Sequence, residues 1–236
     1  MSALSIKLLA VDLDGTLVDS APDIAYALGQ ALQAVGYPEP GETLTRTWIG
    51  DGLETLIARA LTHAAGERDG SDRELQLRTL AAFLPVYRAN LFVRSRLYPR
   101  AAETLDALRD QGLRLCCITN KRHAFSEEVL RLAAVRDRFE LVIGGDSLPE
   151  KKPSPLPLRT AASRLGVATA EMALAGDSRQ DLRAAQSAGC AFVWASYGYG
   201  AVEPDEVGPY PAIRFLAELV PLLTTGSVPA NPPAKP

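Results

Sequence analysis

The segment from Leu8 to Ser20 restricts the fold more than any other part of this chain. An apolar run from Leu8 to Val11 ends in two carboxylates, Asp12 and Asp14, and a glycine, a threonine and the start of a helix follow. A short apolar run of this kind indicates a buried strand. In parallel α/β sheets, ligands bind beyond the carboxyl ends of the strands. Because two acids at such a point repel each other, the pattern predicts a compensating divalent cation such as Mg²⁺.

The same acids are also typical of an ordinary strand-to-helix loop, with Asp19 or Ser20 capping the helix. Taken alone, the two readings are about equally supported. The rest of the chain decides between them.

Helices alternate with strands from about residue 97 onward, whereas residues 20–90 show helical periodicity and no strand. The predicted strands after the first are Leu113–Ile118, Glu140–Ile143, Met172–Ala175 and Ala191–Trp194. The predicted helices of this part are Ala101–Asp110, Ala124–Ala133, Pro155–Leu165, Gln180–Ala188 and Ala212–Leu223. Such alternation favours a parallel sheet with right-handed crossovers. The sequence therefore predicts an α/β fold with a helical segment inserted after the first strand.

The composition excludes several classes of protein. A formal net charge of -3 over 236 residues gives no reason to expect a nucleic acid or an anionic membrane as partner. We expect neither a membrane span, since no run of 18 apolar residues occurs, nor a signal peptide. The three cysteines form no C-x-x-C pair and no Cys/His cluster, which favours buried thiols in the cytoplasm over a zinc site.

Further polar side chains follow later strands. Thr119, Asn120 and Lys121 stand where one strand ends, and their hydroxyl, amide and ammonium groups suit phosphate oxygens. Asp177 and Asp181 span the strand-to-helix junction after Met172–Ala175, and Lys152 lies in a loop between strands. Each signal taken singly is also typical of ordinary structure: a helix N-cap, compensation of a helix dipole, or a solvated basic turn.

Taken in chain order, the four segments around Asp12, Thr119, Lys152 and Asp177 resemble the four motifs of the haloacid dehalogenase superfamily. The resemblance extends over the chain as far as about Leu223. The resemblance is closer still to the phosphoglycolate phosphatase family. The segments that carry it are Trp48–Gly52, Val142–Asp146, Lys151–Pro153, Gly176–Arg179 and Tyr197–Tyr199. Two departures are Arg122, where that family often has proline, and Gln180, where asparagine is common.

The resemblance implies a Rossmann-like core of residues 1–18 and 92–224 and a helical cap of residues 19–91. The content of Pro and small residues predicts a flexible tail of residues 225–236. The resemblance further implies a Mg²⁺-dependent phosphatase that hydrolyses a small phosphomonoester, above all 2-phosphoglycolate, through an aspartyl-phosphate. The cytoplasm is the expected location, and a monomer or homodimer the expected state.

The resemblance also implies residue roles. Asp12 is the nucleophile, and Asp14 is the general acid and then the base. Mg²⁺ is assigned to Asp12, the backbone carbonyl of Asp14 and the carboxylate of Asp177. The remaining implied positions are Lys152 as a catalytic cation, Thr119, Asn120, Lys121, Gly50, Asp51 and Gly52 as substrate contacts, and Asp181, Ser178 and Thr16 as supports.

Competing functions differ in what they require of these residues. A haloacid dehalogenase needs no proton for its leaving halide, so Asp14 argues against it. A non-catalytic binding protein on this scaffold is expected to lack Asp12, Asp14 or Asp177, and all three are present. A phosphosugar mutase resembling β-phosphoglucomutase keeps both acids and the cap, and a phosphatase for other small sugar phosphates does so too. These two alternatives stay open.

Overall fold

The computed structural model of the chain describes residues 6–66, 70–200 and 202–224. Its strands are β1 Leu8–Val11, β2 Val18–Asp19, β3 Arg96–Leu97, β4 Arg114–Ile118, β5 Leu141–Ile143, β6 Met172–Gly176, β7 Ala191–Ala195 and β8 Ala212–Ile213. The tail of residues 225–236, predicted to be flexible, lies outside the described residues.

A six-stranded sheet in the order β5-β4-β1-β6-β7-β8 forms the centre of the molecule, and all of its pairings are parallel. Strand β1 lies inside this sheet, between β4 and β6. Its residues are fully buried because helices cover both faces of the sheet, which explains the uninterrupted apolar run. The predicted α/β fold is confirmed.

The helices pack on both faces of this sheet or form the inserted segment. They are α1 Ala21–Ala34, α2 Glu42–Arg46, α3 Leu53–Ala65, α4 Arg73–Ala89, α5 Ala101–Asp110, α6 His123–Leu132, α7 Leu156–Arg164, α8 Arg179–Ala188, α9 Pro204–Val207 and α10 Leu219–Thr224. Among the described residues, no helix combines the length and apolar character needed to cross a bilayer. Cys116, Cys117 and Cys190 are buried free thiols, as predicted.

Helices α1 to α4 stand between two short strands that form the stem of the insertion. Val18 of β2 lies opposite Leu97 of β3 in an antiparallel pair. Buried Asp23 fixes the returning chain, because its carboxylate accepts hydrogen bonds from the backbone N–H of Arg94 at 2.9 Å and of Ser95 at 2.9 Å. The insertion is therefore tied to the core where it leaves and where it returns. Its division at residues 19 and 91 stays a prediction.

The predicted helix Ala212–Leu223 is wrong at its start. Residues 212 and 213 form the edge strand β8, with Ala212 opposite Trp194 in the sheet. The helical part that follows consists of a 3-10 turn, Leu216–Glu218, and then α10. A two-residue strand is too short to show alternation, so its apolar residues merge with the helical pattern behind it.

Candidate active site

The predicted site residues meet at one edge of the sheet. Asp12 follows β1, Thr119 follows β4 and Asp177 follows β6, and these three strands are neighbours. Parallel strands end at the same edge, so the three side chains converge there, and all three are buried. The chain segments singled out by the sequence are thus brought to one place by the topology alone.

Three buried carboxylates form an acid cluster. One carboxylate oxygen from each of Asp12, Asp177 and Asp181 lies within 4.8 Å of the other two. Lys152 is the cation of this cluster: its Nζ lies 2.9 Å from Asp12 Oδ1 and 2.5 Å from Asp181 Oδ1, and it donates to the Ile118 carbonyl at 2.7 Å. Among the described residues, the ammonium of Lys152 therefore pairs with two of the three acids, Asp12 and Asp181.

The charges in this cluster do not balance. Burial, and then the charge of Asp181, raise the pKa of Asp12 to about 8. The same two causes raise the pKa of Asp177 to about 6. Burial by itself lowers the pKa of Lys152, but the carboxylates of Asp12 and Asp181 outweigh it and hold that pKa above its usual value. An all-oxygen, anionic set short of positive charge fits a hard divalent cation, so these residues could hold a metal.

Asp177 is held on both of its oxygens. Thr16 Oγ1 donates to Oδ1 at 2.9 Å, and the backbone N–H groups of Tyr199 and Gly200 donate to Oδ2 at 2.7 and 3.0 Å. The loop lies so close that a Cβ at Gly198 would stand 2.2 Å from the Asp177 Cβ. Thr16 thus contacts Asp177, and its role as a support stays a prediction. The two backbone donors could not be predicted from the sequence, although the Tyr197–Tyr199 segment stood out in it.

Asp181 is turned toward its own helix start and toward Lys152. Its Oδ2 accepts hydrogen bonds from the Ser178 hydroxyl and, at 3.1 Å, from the Ser178 backbone N–H, which forms a capping box at the start of α8. A Cβ at Gly176 would lie 2.4 Å from the Asp181 Cγ, which explains the glycine before Asp177. Asp181 is therefore placed to fix the ammonium of Lys152.

Asp14 lies apart from the acid cluster. Its carboxylate accepts two hydrogen bonds from Lys121 Nζ, at 2.8 and 3.0 Å, and one from Ser20 Oγ at 2.6 Å. Ser20 stands at the N-cap position of α1, but its side chain bonds Asp14 and makes no capping hydrogen bond to the helix. The metal contact assigned to Asp14 concerns its backbone carbonyl and stays a prediction. Lys121 also lies over the ring of Tyr87, 5.0 Å from the centroid.

A cavity opens between these residues and the inserted helices. Its core wall includes Asp12, Asp14 and Lys121, and Gly50, Gly52 and Leu56 line it from the insertion. The glycine-rich bend at residues 48–52 therefore faces the Asp12 site. Its substrate role stays a prediction.

Asn120 connects the insertion to the core. Its side-chain Nδ2 donates to the Gly50 carbonyl at 2.9 Å and to the Lys152 carbonyl at 2.9 Å. Both hydrogens of this amide are therefore used to join the bend to the Lys152 loop. The contact to Gly50 crosses 70 residues of sequence, so spacing in the chain gives no sign of it.

The same bend is held by further core residues. Lys151 Nζ donates to the Asp51 carbonyl at 2.7 Å, and Gln180 Nε2 donates to the Asp51 carboxylate. Arg59 of α3 binds the other oxygen of that carboxylate. Asp51 thus fixes the bend in this structure. The contacts of Lys151 and Gln180 could not be predicted from the sequence, although Gln180 stood out as a departure from the family pattern.

Comparison with known proteins places these features in a wider group. A family model described as haloacid dehalogenase-like hydrolase matches residues 6–189. A phosphoglycolate phosphatase of Nitrosococcus oceani is 40% identical over 220 residues, which cover 92% of this chain and 96% of that protein. One of Neisseria meningitidis is 42% identical over 196 residues, covering 83% of this chain and 82% of the relative.

Solved structures of similar fold also match this chain. A crystal structure of a predicted phosphoglycolate phosphatase from Haemophilus somnus matches with a TM-score of 0.87 and 35% identity, covering 92% of this chain and 98% of that one. The protein CbbY of Rhodobacter sphaeroides, solved in complex with phosphate, matches with a TM-score of 0.76 and 25% identity, covering 91% and 96%.

Proposed function

This chain belongs to the haloacid dehalogenase-like hydrolase family, and we propose that it is a Mg²⁺-dependent phosphatase that hydrolyses 2-phosphoglycolate to glycolate and phosphate. The observation that carries the proposal is the position of Asp12 in the cavity wall, with the ammonium of Lys152 at 2.9 Å and the carboxylates of Asp177 and Asp181 beside it. The curated relatives are named for this activity. They are about 40% identical to this chain, and the match covers most of their length. The cytoplasmic location, and assembly as a monomer or homodimer, stay predictions.

Asp12 is the proposed nucleophile. Its carboxylate attacks phosphorus and the ester oxygen leaves, which gives an aspartyl-phosphate on Asp12. Lys152, 2.9 Å from Asp12 Oδ1, brings positive charge next to the attacking group and to the phosphoryl oxygens. Mg²⁺, held by Asp12, Asp177 and the carbonyl of Asp14, would neutralise further negative charge. Phosphoryl transfer depends on such positioning and charge neutralisation more than on covalent chemistry by the protein.

Asp14 is the proposed proton carrier. It protonates the leaving alkoxide in the first step and takes a proton from the attacking water in the second. Its hydrogen bonds from Lys121 and Ser20 hold the carboxylate in a fixed direction at the cavity wall. Thr119, at the end of β4, is proposed to contact the phosphoryl oxygens from the same wall.

The inserted helices are proposed to act as a cap that encloses the substrate. A cap selects small substrates because only a substrate that fits beneath it allows closure and excludes water. The bend at Gly50 and Gly52 begins α3, whose N-terminal N–H groups favour an anion. We assign the carboxylate of 2-phosphoglycolate to this end of the cavity.

A phosphate-release screen tests the proposal. We expect 2-phosphoglycolate to give a higher kcat/KM than sugar phosphates, nucleotides or 2-hydroxyethyl phosphate, which lacks the carboxylate. Incubation with β-glucose 1-phosphate tests the mutase alternative by following glucose 6-phosphate. A preference for a sugar phosphate, or conversion of β-glucose 1-phosphate without phosphate release, contradicts the assignment.

Gly50→Val is expected to impair turnover of 2-phosphoglycolate by about tenfold to a hundredfold more than turnover of p-nitrophenyl phosphate. The φ angle of Gly50 is 121°, a backbone conformation that a branched residue avoids, and the bend faces Asp12. p-Nitrophenyl phosphate has no carboxylate and is expected to depend on the core alone. The measurement is kcat/KM for both substrates.

Gly41→Val is the matched control for this variant. Gly41 has a φ of 78° at the start of α2, and a Cβ there meets nothing within 4 Å. The Gly41→Val variant introduces comparable backbone strain without changing the cavity. Its kcat/KM should therefore fall equally for the two substrates. Equal losses in the Gly50 variant would assign Gly50 to folding only.

A further inference from the structure

Tyr199 contacts both a cluster acid and the start of the insertion. Its backbone N–H donates to Asp177 Oδ2 at 2.7 Å. Its side-chain hydroxyl donates to the Asp19 carboxylate of β2 and accepts from the backbone N–H of Ala21, the first residue of α1, at 3.0 Å. One residue therefore joins Asp177 to the point where the chain leaves the core.

The insertion also holds the ring of Tyr199. The guanidinium of Arg46, the last residue of α2, lies 4.7 Å above the ring centroid. Arg46 Nη1 also donates at 2.9 Å to the same Asp19 oxygen that the Tyr199 hydroxyl contacts. Arg46, Asp19 and Tyr199 thus form a cluster, here called the hinge cluster, with members on the insertion, on its stem and on the loop that supports Asp177.

The loop that carries Tyr199 is packed against Asp177 without clearance. A Cβ at Gly198 would lie 2.2 Å from the Asp177 Cβ, and one at Gly200 would lie 2.3 Å from the Asp177 carbonyl oxygen. The backbone on both sides of Tyr199 is therefore pressed against the residue that it supports. A shift of the Tyr199 ring would move the two N–H donors that orient the Asp177 carboxylate.

We propose that Tyr199 is a positioning residue that couples the orientation of Asp177 to the position of α2, so that Mg²⁺ binds more tightly when Arg46 rests on the Tyr199 ring. By reciprocity, bound Mg²⁺ favours the arrangement in which α2 is held against the loop. The inference rests on the metal role given to Asp177 under the proposed function, and it does not depend on which phosphate ester is the substrate.

Calorimetric titration of the full chain with Mg²⁺, without substrate, tests the coupling. Tyr199→Phe removes the hydroxyl contacts but keeps the ring and the backbone donors, and Arg46→Gln removes the cation above the ring. Each variant is expected to bind Mg²⁺ about tenfold more weakly, the lower end of the loss seen when the supports of a metal ligand are removed. Because both act through one cluster, the double variant should lose much less than the product of the single losses.

Tyr26→Phe is the matched control. Tyr26 in α1 also lies beneath an arginine, with the guanidinium of Arg94 3.9 Å from its ring centroid, but it is not part of the hinge cluster. It should bind Mg²⁺ as the wild type does.

Enzyme kinetics provide a second readout. Saturating Mg²⁺ should restore the kcat of both hinge variants, with the defect confined to the Mg²⁺ concentration that gives half-maximal activity. Unchanged Mg²⁺ affinity in both variants, the same weakening in Tyr26→Phe, or a kcat that saturating Mg²⁺ does not restore would overturn the coupling. An unexpected substrate in the phosphate-release screen would overturn the substrate assignment and leave the calorimetric result standing.

Discussion

Asp12→Asn is expected to lower phosphate release from 2-phosphoglycolate by about 10⁴-fold or more, as removal of an enzyme's nucleophile does in other systems. The amide has nearly the shape of the carboxylate, so the fold is retained, but it offers no anionic oxygen to attack phosphorus. Lys152, 2.9 Å from Asp12 Oδ1, keeps its ion pair with Asp181 in this variant. The measurement is single-turnover and steady-state phosphate release with protein free of wild-type contamination.

The control for this variant is Asp137→Asn. Asp137 pairs with Arg138 at 3.1 Å on the surface, with 81% of its side chain exposed, and should leave phosphate release unchanged. Retention of most of the activity by Asp12→Asn would exclude Asp12 as the nucleophile. Transfer of radioactive phosphate from substrate to the protein, present in the wild type and absent from Asp12→Asn, would place the covalent intermediate on this residue.

The sequence predicted the centre of the fold because that part is encoded locally. The apolar run before Asp12 is continuous since β1 is covered on both faces. Parallel strands then bring the residues after β1, β4 and β6 to one edge, so motif order along the chain was enough to predict that Asp12, Thr119 and Asp177 converge.

The directions and partners of the side chains could not be predicted from the sequence in the same way. Lys121 was predicted to face phosphate, and the structure pairs it with Asp14 across 107 residues of sequence. Tyr199 bonds Asp19 across 180 residues, and the pattern around it showed only glycines and aromatic rings. Such pairs depend on how loops from distant segments lie together after the sheet has formed. Neither periodicity nor spacing contains that information.

The contacts that hold the bend at residues 48–52 were likewise not predictable from the sequence. Gln180 was recognised only as a departure from a family pattern, yet it contacts Asp51 of the insertion. Arg122, the other departure, pairs with Glu54 of α3 at 2.5 Å. Both substitutions therefore lie where core and insertion meet. The sequence could single these positions out, but it could not name their partners.

Removal of divalent metal is expected to abolish phosphate release, and added Mg²⁺ is expected to restore it. The acid cluster of Asp12, Asp177 and Asp181 places three carboxylate oxygens within 4.8 Å of one another, and in the described part of the chain the ammonium of Lys152 pairs with two of these acids. Without a further cation, the negative charge of the cluster opposes the approach of an anionic ester to Asp12. Full activity in excess chelator would contradict a metal-dependent reaction.

Two variants separate the metal ligand from the acid that positions Lys152. Asp177→Asn is expected to weaken Mg²⁺ binding by about a hundredfold in a calorimetric titration, because a neutral amide replaces an anionic ligand. Asp181→Asn should lower kcat with a much smaller change in Mg²⁺ affinity, since Asp181 bonds Ser178 and Lys152. If Asp181→Asn proved the weaker Mg²⁺ binder of the two, Asp181 would be a direct ligand, and the positioning of Lys152 would have to come from Asp12 and the Ile118 carbonyl alone.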